Sequence, residues 1–175
     1  RVGSLAGIPI LISPSWFILF GLTTWLLATQ FYPDAIQDAD RTTHYLMAAS
    51  SVILFFASIV IHELAHSLVA RAYKIPVKSI TLFILGGVAQ ITREAAKPLH
   101  ELLMAAAGPL TSFALSAFFF GVWFALGAEN TRPVDYVVIW LALMNIVLGV
   151  FNFLPAFPMD GGRVFRSICW MVTGN

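Results

Sequence analysis

The chain has 175 residues, of which 59% are hydrophobic and 11% are charged, and its formal net charge is +1. Soluble domains carry roughly a quarter charged residues, so this chain lacks the polar side chains that would cover a water-soluble surface. The composition excludes an ordinary soluble domain and predicts an integral membrane protein in contact with the lipid bilayer. The single cysteine, Cys169, excludes an internal disulfide and a multi-cysteine zinc module. We expect no nucleic-acid partner.

Four apolar stretches are long enough to cross a bilayer, which requires about 20 mostly apolar residues. They cover residues 14–31, 46–73, 99–126 and 134–154. A fifth apolar run, 164–172, is too short to assign. We therefore predict an all-α polytopic membrane protein with at least four transmembrane helices, forming one domain over residues 1–175. Because the chain starts at Arg1 and ends soon after an apolar run begins, we expect a continuation at its C-terminal end.

Lysine and arginine are distributed unevenly between the two predicted sides of the membrane. With a cytoplasmic N-terminus, eight of the ten basic residues lie on the cytoplasmic side: Arg1, Arg71, Lys74, Lys78, Arg93, Lys97, Arg163 and Arg166. The other two, Arg41 and Arg132, lie on the opposite side. Since cytoplasmic loops of membrane proteins carry an excess of basic residues, this orientation is the predicted one.

Residues 79–92, between the second and third apolar stretches, are rich in β-branched and aromatic residues. Gly86 and Gly87 interrupt this segment, and a glycine pair permits positive φ at both positions of a tight turn. The pattern predicts a β-hairpin or re-entrant strand pair on the cytoplasmic side. A short interfacial helix is the alternative, because short apolar runs are ambiguous between strand and helix.

His62, Glu63 and His66 are ionisable residues inside the second apolar stretch, where a charged side chain costs about 2.5–3.5 kcal/mol at mid-helix. Two histidines four residues apart lie on one face of a helix and can bind one Zn2+ together. A glutamate beside the first histidine suits a general base that acts on a metal-bound water. An interhelical polar cluster without a metal is the alternative.

A catalytic zinc needs a third protein ligand, and Asp160 is the best candidate in this chain. Pro155 and Pro158 precede it and must interrupt the fourth helix. Broken backbone at membrane depth is tolerated where protein or a water-filled cavity surrounds it, so Asp160 is predicted to face such a cavity. A turn with Asp160 as a loop cap is the alternative. Four other possible ligands are expected to be solvated, at the surface or at the membrane interface: Glu94, Glu101, His44 and His100.

The motif HELAH at residues 62–66, followed by NFLPAFPMDG at 152–161, resembles the site-2 protease family of intramembrane zinc metalloproteases. The resemblance covers most of the chain. It implies a core made of the second to fourth spans, with an active site that opens toward the cytoplasm. It also implies that residues 79–92 are the family's re-entrant β element.

Single residues take roles from the same resemblance. His62, His66 and Asp160 match the family's ligands of one catalytic Zn2+. Glu63 matches the catalytic base, and Asn152 matches an asparagine that helps to stabilise the tetrahedral intermediate.

The sequence thus predicts a zinc-dependent endopeptidase that cuts membrane-protein substrates within or near their transmembrane segments, as in regulated intramembrane proteolysis. We expect the substrate to unwind and to add as a strand to the edge of the 79–92 element. The residues predicted to bind it are Leu82, Ile84, Gly86, Gly87 and Val88. A metal-ion transporter and an inactive binding scaffold remain as alternatives, and the sequence leaves the substrate's identity and the oligomeric state open.

Overall fold

The structure is a computed structural model that describes residues 1–83, 86–93, 95–129 and 131–174. Its described residues are mostly helical and include one four-stranded sheet, which confirms the predicted combination of helices with a small β element. The elements are β1 (Gly3–Leu5), β2 (Ile8–Ile12), α1 (Pro14–Leu26), α2 (Tyr32–Ala35), α3 (Arg41–Ala72), β3 (Val77–Phe83), β4 (Gly86–Ile91), α4 (Pro98–Ala125), α5 (Pro133–Phe153) and α6 (Asp160–Thr173).

Three helices in the described part of the chain are long and apolar enough to cross a membrane: α3, α4 and α5. They have 32, 28 and 21 residues, so even the shortest is about 31 Å long at 1.5 Å per residue. This length matches a hydrocarbon core of about 30 Å. The three helices agree with the second, third and fourth predicted spans to within a few residues, and the chain is an integral membrane protein.

The segment predicted as the first span, 14–31, is helical but is not one regular α-helix. A π-helical turn at Leu27–Phe31 separates α1 from α2. Pro33 has no N–H to donate to the carbonyl of Thr29, four residues earlier, which accounts for the change in helical hydrogen bonding. A fourth membrane span therefore remains a prediction.

The sheet has the strand order β1-β2-β3-β4. Strands β3 and β4 are antiparallel, which confirms the predicted hairpin. The sequence did not predict the N-terminal hairpin of β1 and β2, in which Pro9 interrupts the apolar pattern. Strand β2 pairs in parallel with β3, with Ile10 opposite Ile80, so β3 is central and β4 is an edge strand.

Buried polar side chains join the helices inside the membrane domain, where an unpaired polar group is costly. The Nδ2 of Asn145 on α5 donates to Oγ of Ser58 on α3 over 3.2 Å. The hydroxyl of Tyr32 lies 2.5 Å from that of Ser51. His44 was expected at the surface, but it is buried, and its Nε2–H donates to the carbonyl of Ile36 over 2.9 Å. These contacts fix α3, which carries the HELAH motif.

The break predicted at the two prolines lies between α5 and α6. Helix α5 ends at Phe153, and α6 begins at Asp160 and contains the short apolar run 164–172. A Cβ atom on Gly161 would lie 2.2 Å from the carbonyl oxygen of Phe153. The missing side chain therefore lets the first turn of α6 pack on the end of α5, and this packing places Asp160.

Candidate metal centre

His62, His66 and Asp160 meet in the structure, although Asp160 lies more than 90 residues after the two histidines. Both histidines project from α3, and Asp160 is the first residue of α6. The Nε2 atoms of His62 and His66 lie 3.2 and 3.0 Å from Oδ2 of Asp160. The two Nε2 atoms are 3.2 Å apart. These three atoms are close enough together for one metal ion to bind them all, and their role as zinc ligands stays a prediction.

Helix α4 sets the orientation of both imidazoles. Nδ1 of His66 lies 2.6 Å from the carbonyl oxygen of Met104. Because a carbonyl only accepts, Nδ1 carries the proton and donates, so in the neutral imidazole Nε2 is the nitrogen that can bind a metal. Nδ1 of His62 lies 2.9 Å from Oγ of Ser112. Metal-binding histidines commonly use their second nitrogen in this way.

The donor set and the space around it fit a zinc ion. Two imidazole nitrogens and a carboxylate oxygen, which are ligand types that Zn2+ prefers, converge in a largely buried place. A Cβ atom on Gly108 of α4 would lie 2.1 Å from Nε2 of His66 and 2.5 Å from Nε2 of His62. Zn2+ binds histidine nitrogen at about 2.0–2.1 Å. Gly108 therefore leaves open the volume that a metal between the imidazoles requires.

Glu63, the predicted general base, contacts the edge strand of the sheet. Its Oε2 accepts a hydrogen bond of 3.0 Å from the backbone N–H of Ala89 in β4. A Cβ atom on Gly87 would lie 2.9 Å from Cγ of Glu63. Strand β4 thus lies directly against the half-buried Glu63, one residue along α3 from His62.

This arrangement of two helical histidines, a carboxylate and a neighbouring glutamate can be compared with known proteins. Residues 50–134 and 127–175 match Peptidase family M50. The chain belongs to this family.

Individual relatives agree with the assignment to family M50. A protein of Synechocystis sp. is 40% identical over 177 residues, and Rip3 of Mycobacterium tuberculosis is 38% identical over 175 residues. Both carry the words zinc metalloprotease in their names. The matches cover 100% and 99% of this chain but 45% and 44% of those proteins, so the chain spans less than half of their length.

A solved structure has the same fold. It is the site-2 protease from Methanocaldococcus jannaschii, with a TM-score of 0.66 and 30% sequence identity. The match covers 99% of this chain and 72% of that chain. The chain is thus similar to a site-2 protease in both sequence and structure.

The residues predicted to bind substrate lie at different places in this M50 chain. Leu82 is in β3, which is paired on both sides, and 4% of its surface is exposed. An added strand cannot pair with Leu82, which corrects that part of the prediction. Ile84 lies outside the described residues. Gly86, Gly87 and Val88 lie in β4, at the edge of the sheet, and their contact with a substrate stays a prediction.

Two more predicted residues have defined surroundings. The Nδ2 of Asn152, on the last turn of α5, donates to the carbonyl of Leu148 over 2.9 Å. The role of Asn152 at the oxyanion stays a prediction. His100 is half-buried at the start of α4 and stacks on Tyr73, with ring centroids 3.8 Å apart.

Glu101 was expected to be solvated, and this expectation was wrong. Its side chain is 1% exposed, it accepts a hydrogen bond from Arg166, and Arg163 Nε lies 3.7 Å from its Oε1. The basic residues near Glu101 in sequence suggested a solvated loop, whereas its partners are on α6, more than 60 residues later. Glu94, the other competing carboxylate, lies outside the described residues.

Proposed function

We propose that residues 1–175 form the catalytic domain of a zinc-dependent intramembrane endopeptidase. Its substrates would be membrane proteins, cut within or near their transmembrane segments in regulated intramembrane proteolysis. The observation that carries the proposal is that Glu63 lies beside a three-ligand group and also contacts the free edge of a β-sheet. Membership of family M50 and the similarity to a solved site-2 protease support it.

The reaction requires one group that moves a proton. Zn2+ held by His62, His66 and Asp160 would polarise the scissile carbonyl and lower the pKa of water to about 7. Glu63 would accept a proton from the attacking water and donate it to the leaving amine. The hydrogen bond from Ala89 to Oε2 holds this carboxylate and leaves Oε1 for the proton.

Asn152 would act on the carbonyl oxygen as negative charge develops there. Its amide has two N–H groups, and the hydrogen bond to Leu148 uses one of them. The second N–H could donate to the oxyanion, and removal of such a donor typically lowers kcat by about 100- to 1000-fold.

The free edge of β4 would receive the substrate backbone. The N–H of Ala89 points away from β3, because it donates to Glu63, whereas the N–H of Thr92 donates back to Pro76 beside β3. Successive N–H groups along a strand point to opposite sides. The N–H groups of Gly87 and Ile91 would therefore point away from β3, as that of Ala89 does. A substrate strand that pairs with this edge would present its peptide bonds to Glu63.

The active site would open toward the cytoplasm. The metal group lies near the C-terminal part of α3 and the start of α6, and eight of the ten basic residues belong to the N-terminal segment, to residues 71–97 between the end of α3 and the start of α4, or to α6. The excess of basic residues in cytoplasmic loops supports this orientation.

The decisive experiment combines metal analysis with cleavage of a single-span test substrate by the wild type and by Glu63→Gln. We expect about one zinc per chain in both proteins and cleavage by the wild type alone. Zinc without cleavage in the wild type, or equal cleavage by Glu63→Gln, would contradict the proposal. Metal flux into vesicles that survives Glu63→Gln would instead indicate a transporter.

Substrate pairing with β4 has a separate test at Ile91. Ile91→Pro removes an outward N–H from the edge strand, and Ile91→Ala removes most of the same side chain but keeps that N–H. We expect Ile91→Pro to cleave at least tenfold more slowly than Ile91→Ala, with equal zinc contents. Equal rates in the two variants would show that the substrate does not pair with this edge.

A further inference from the structure

A cavity of about 370 Å³ lies between the end of β4 and the start of α6. Half of its eight described lining residues have a basic or aromatic side chain, namely Arg93, Phe157, Arg163 and Arg166. Ile91 on β4 and Glu101 on α4 also line it. Ala89, whose N–H contacts Glu63, lines the same cavity. The cavity therefore extends along β4 from Ala89, which contacts the proposed catalytic base, to Arg93.

Positive charge predominates in this arginine cavity. Three guanidinium groups line it, and Glu101 is the one carboxylate among its described lining residues. Arg163 and Arg166 are three residues apart on α6 and therefore share a face of the helix. Their side chains are 29% and 44% exposed, whereas that of Glu101 is 1% exposed. Glu101 holds α6 against α4 from the buried side and leaves an excess of positive charge toward the open side.

A purely structural ion pair would not need this composition. One arginine would suffice to neutralise the buried carboxylate of Glu101, and among the described lining residues Arg163 and Arg93 bring two more positive charges to the walls of an open cavity. Concentrating like charges there costs energy in the absence of a negatively charged ligand. Arginine binds carboxylates through parallel hydrogen bonds and is suited to this recognition.

The position of the cavity relates it to a substrate strand. A strand advances about 3.3 Å per residue, so Arg93 lies roughly 13 Å along the chain from Ala89. A substrate paired with β4 and cut beside Glu63 would place side chains two to four residues from the cut between Arg93 and α6. Phe157, which is 68% exposed, would contact the apolar part of that segment.

We propose that the arginine cavity is a specificity subsite for an acidic side chain of the substrate, located two to four residues from the scissile bond. The inference rests on the proposed endopeptidase function. It identifies the substrate class as transmembrane segments that carry aspartate or glutamate close to the cleaved bond, where the segment leaves the apolar core.

The test uses single-span substrates that carry Asp, or the isosteric Asn, at each of four positions on either side of the cut. The full chain, its Arg93→Gln and Arg163→Gln variants and their double variant are compared in neutral detergent. Arg166 is left intact because it contacts the buried Glu101. Lys78→Gln is the matched control, since Lys78 is an exposed basic residue of β3 that does not line the cavity.

We expect the wild type to prefer Asp over Asn at one or more of the positions two to four residues from the scissile bond. The kcat/KM should be about tenfold higher for the Asp substrate, which corresponds to about 1.4 kcal/mol. In the double variant the ratio of kcat/KM for the Asp substrate to that for the Asn substrate should fall to about one, and added salt should reduce the wild-type ratio. Lys78→Gln should keep it.

Equal cleavage of Asp and Asn substrates at all positions would overturn the subsite while leaving the endopeptidase function intact. No cleavage of any substrate by the zinc-loaded wild type would contradict the endopeptidase itself. If the variants slow Asp and Asn substrates equally, and only in vesicles that contain anionic lipid, the cavity binds a lipid headgroup and the subsite is refuted.

Discussion

A side-chain carbon at Gly108 would overlap the imidazole of His66, since its Cβ would lie 2.1 Å from Nε2. The two residues belong to different helices, α4 and α3, so this contact measures how closely the helices approach at the metal group. The helix that contributes no ligand therefore still determines whether the ligands can bind an ion.

Gly108→Ala should abolish zinc binding while the helices remain folded. The added methyl group occupies the space between the two Nε2 atoms, and each imidazole is held at its Nδ1 by a contact with α4, so neither ring can move aside without losing that contact. Gly121→Ala is the matched control, because a Cβ atom at Gly121, on the same helix, would meet no neighbouring element within 4 Å. We expect at least a 100-fold loss of zinc affinity in a chelator competition assay for Gly108→Ala alone. Normal zinc content in that variant would exclude the proposed ion position.

Ser112→Ala should weaken zinc binding through the orientation of His62. The hydroxyl lies 2.9 Å from Nδ1 of His62, and loss of such a supporting contact typically reduces metal affinity by about 10- to 100-fold. Activity should recover when excess zinc is added, and competition with a chelator measures the change. Ser116→Ala, one turn along α4 at another buried serine, should leave the affinity unchanged.

Glu101→Gln should loosen α6 from α4. The buried carboxylate contacts Arg166 and lies near Arg163. Because both arginines are partly exposed, water weakens these ion pairs and reduces the destabilisation expected from losing them. We expect destabilisation of roughly 1–3 kcal/mol, visible as a lower midpoint of thermal unfolding in detergent. Glu129→Gln, an exposed loop residue, should shift the midpoint far less. Equal shifts of the unfolding midpoint would show that the buried ion pair stabilises the protein no more than the exposed charge of Glu129 does.

The N-terminus of α3 should be sensitive to pH through Asp40. Hydrogen bonds from the side chain and backbone N–H of Thr43 stabilise the ionised carboxylate and hold the pKa of Asp40 below its usual value. A lowered pKa means that the stabilisation is present above the unfolded-state pKa and is lost as the pH falls through the folded-state pKa. Amide exchange at Thr43 should therefore accelerate in acid beyond its intrinsic pH dependence.

Asp40→Asn supplies the control for this effect. Asparagine also caps helix N-termini but does not titrate, so Thr43 exchange should show no extra acid sensitivity in that variant. Asp40→Ala should exchange rapidly at every pH. Identical pH profiles for the wild type and Asp40→Asn would remove Asp40 as the cause.

The sequence predicted those parts of the fold that depend on local pattern. Long apolar runs indicated α3, α4 and α5 to within a few residues, except that α3 begins five residues earlier than predicted. Gly86 and Gly87 indicated the β3–β4 hairpin, but their predicted place at its turn was wrong, because both lie in β4, opposite Phe83 and Leu82. The meeting of His62, His66 and Asp160 was also predicted, because ionisable residues inside apolar spans are costly without a shared partner.

Features that depend on distant contacts were missed. The burial of Glu101 comes from two arginines on α6, and nothing in its neighbouring sequence marks them. The pairing of β2 with β3 joins short segments about 70 residues apart. Ser112 and the carbonyl of Met104 support the histidines from α4, and a lone serine or a backbone carbonyl carries no signal in one sequence.

The parallel contact between β2 and β3 has a consequence for biosynthesis. The two strands lie on opposite ends of the segment that contains α1 and α3, so they can pair only after α3 has been synthesised. Strand β4, which holds Glu63 through Ala89, adds to the sheet later still, and Asp160 arrives last, after α5. The order of synthesis thus keeps the three proposed metal ligands apart until α3, α4 and α5 have been made, so a shorter nascent chain cannot bind an ion through all three of them.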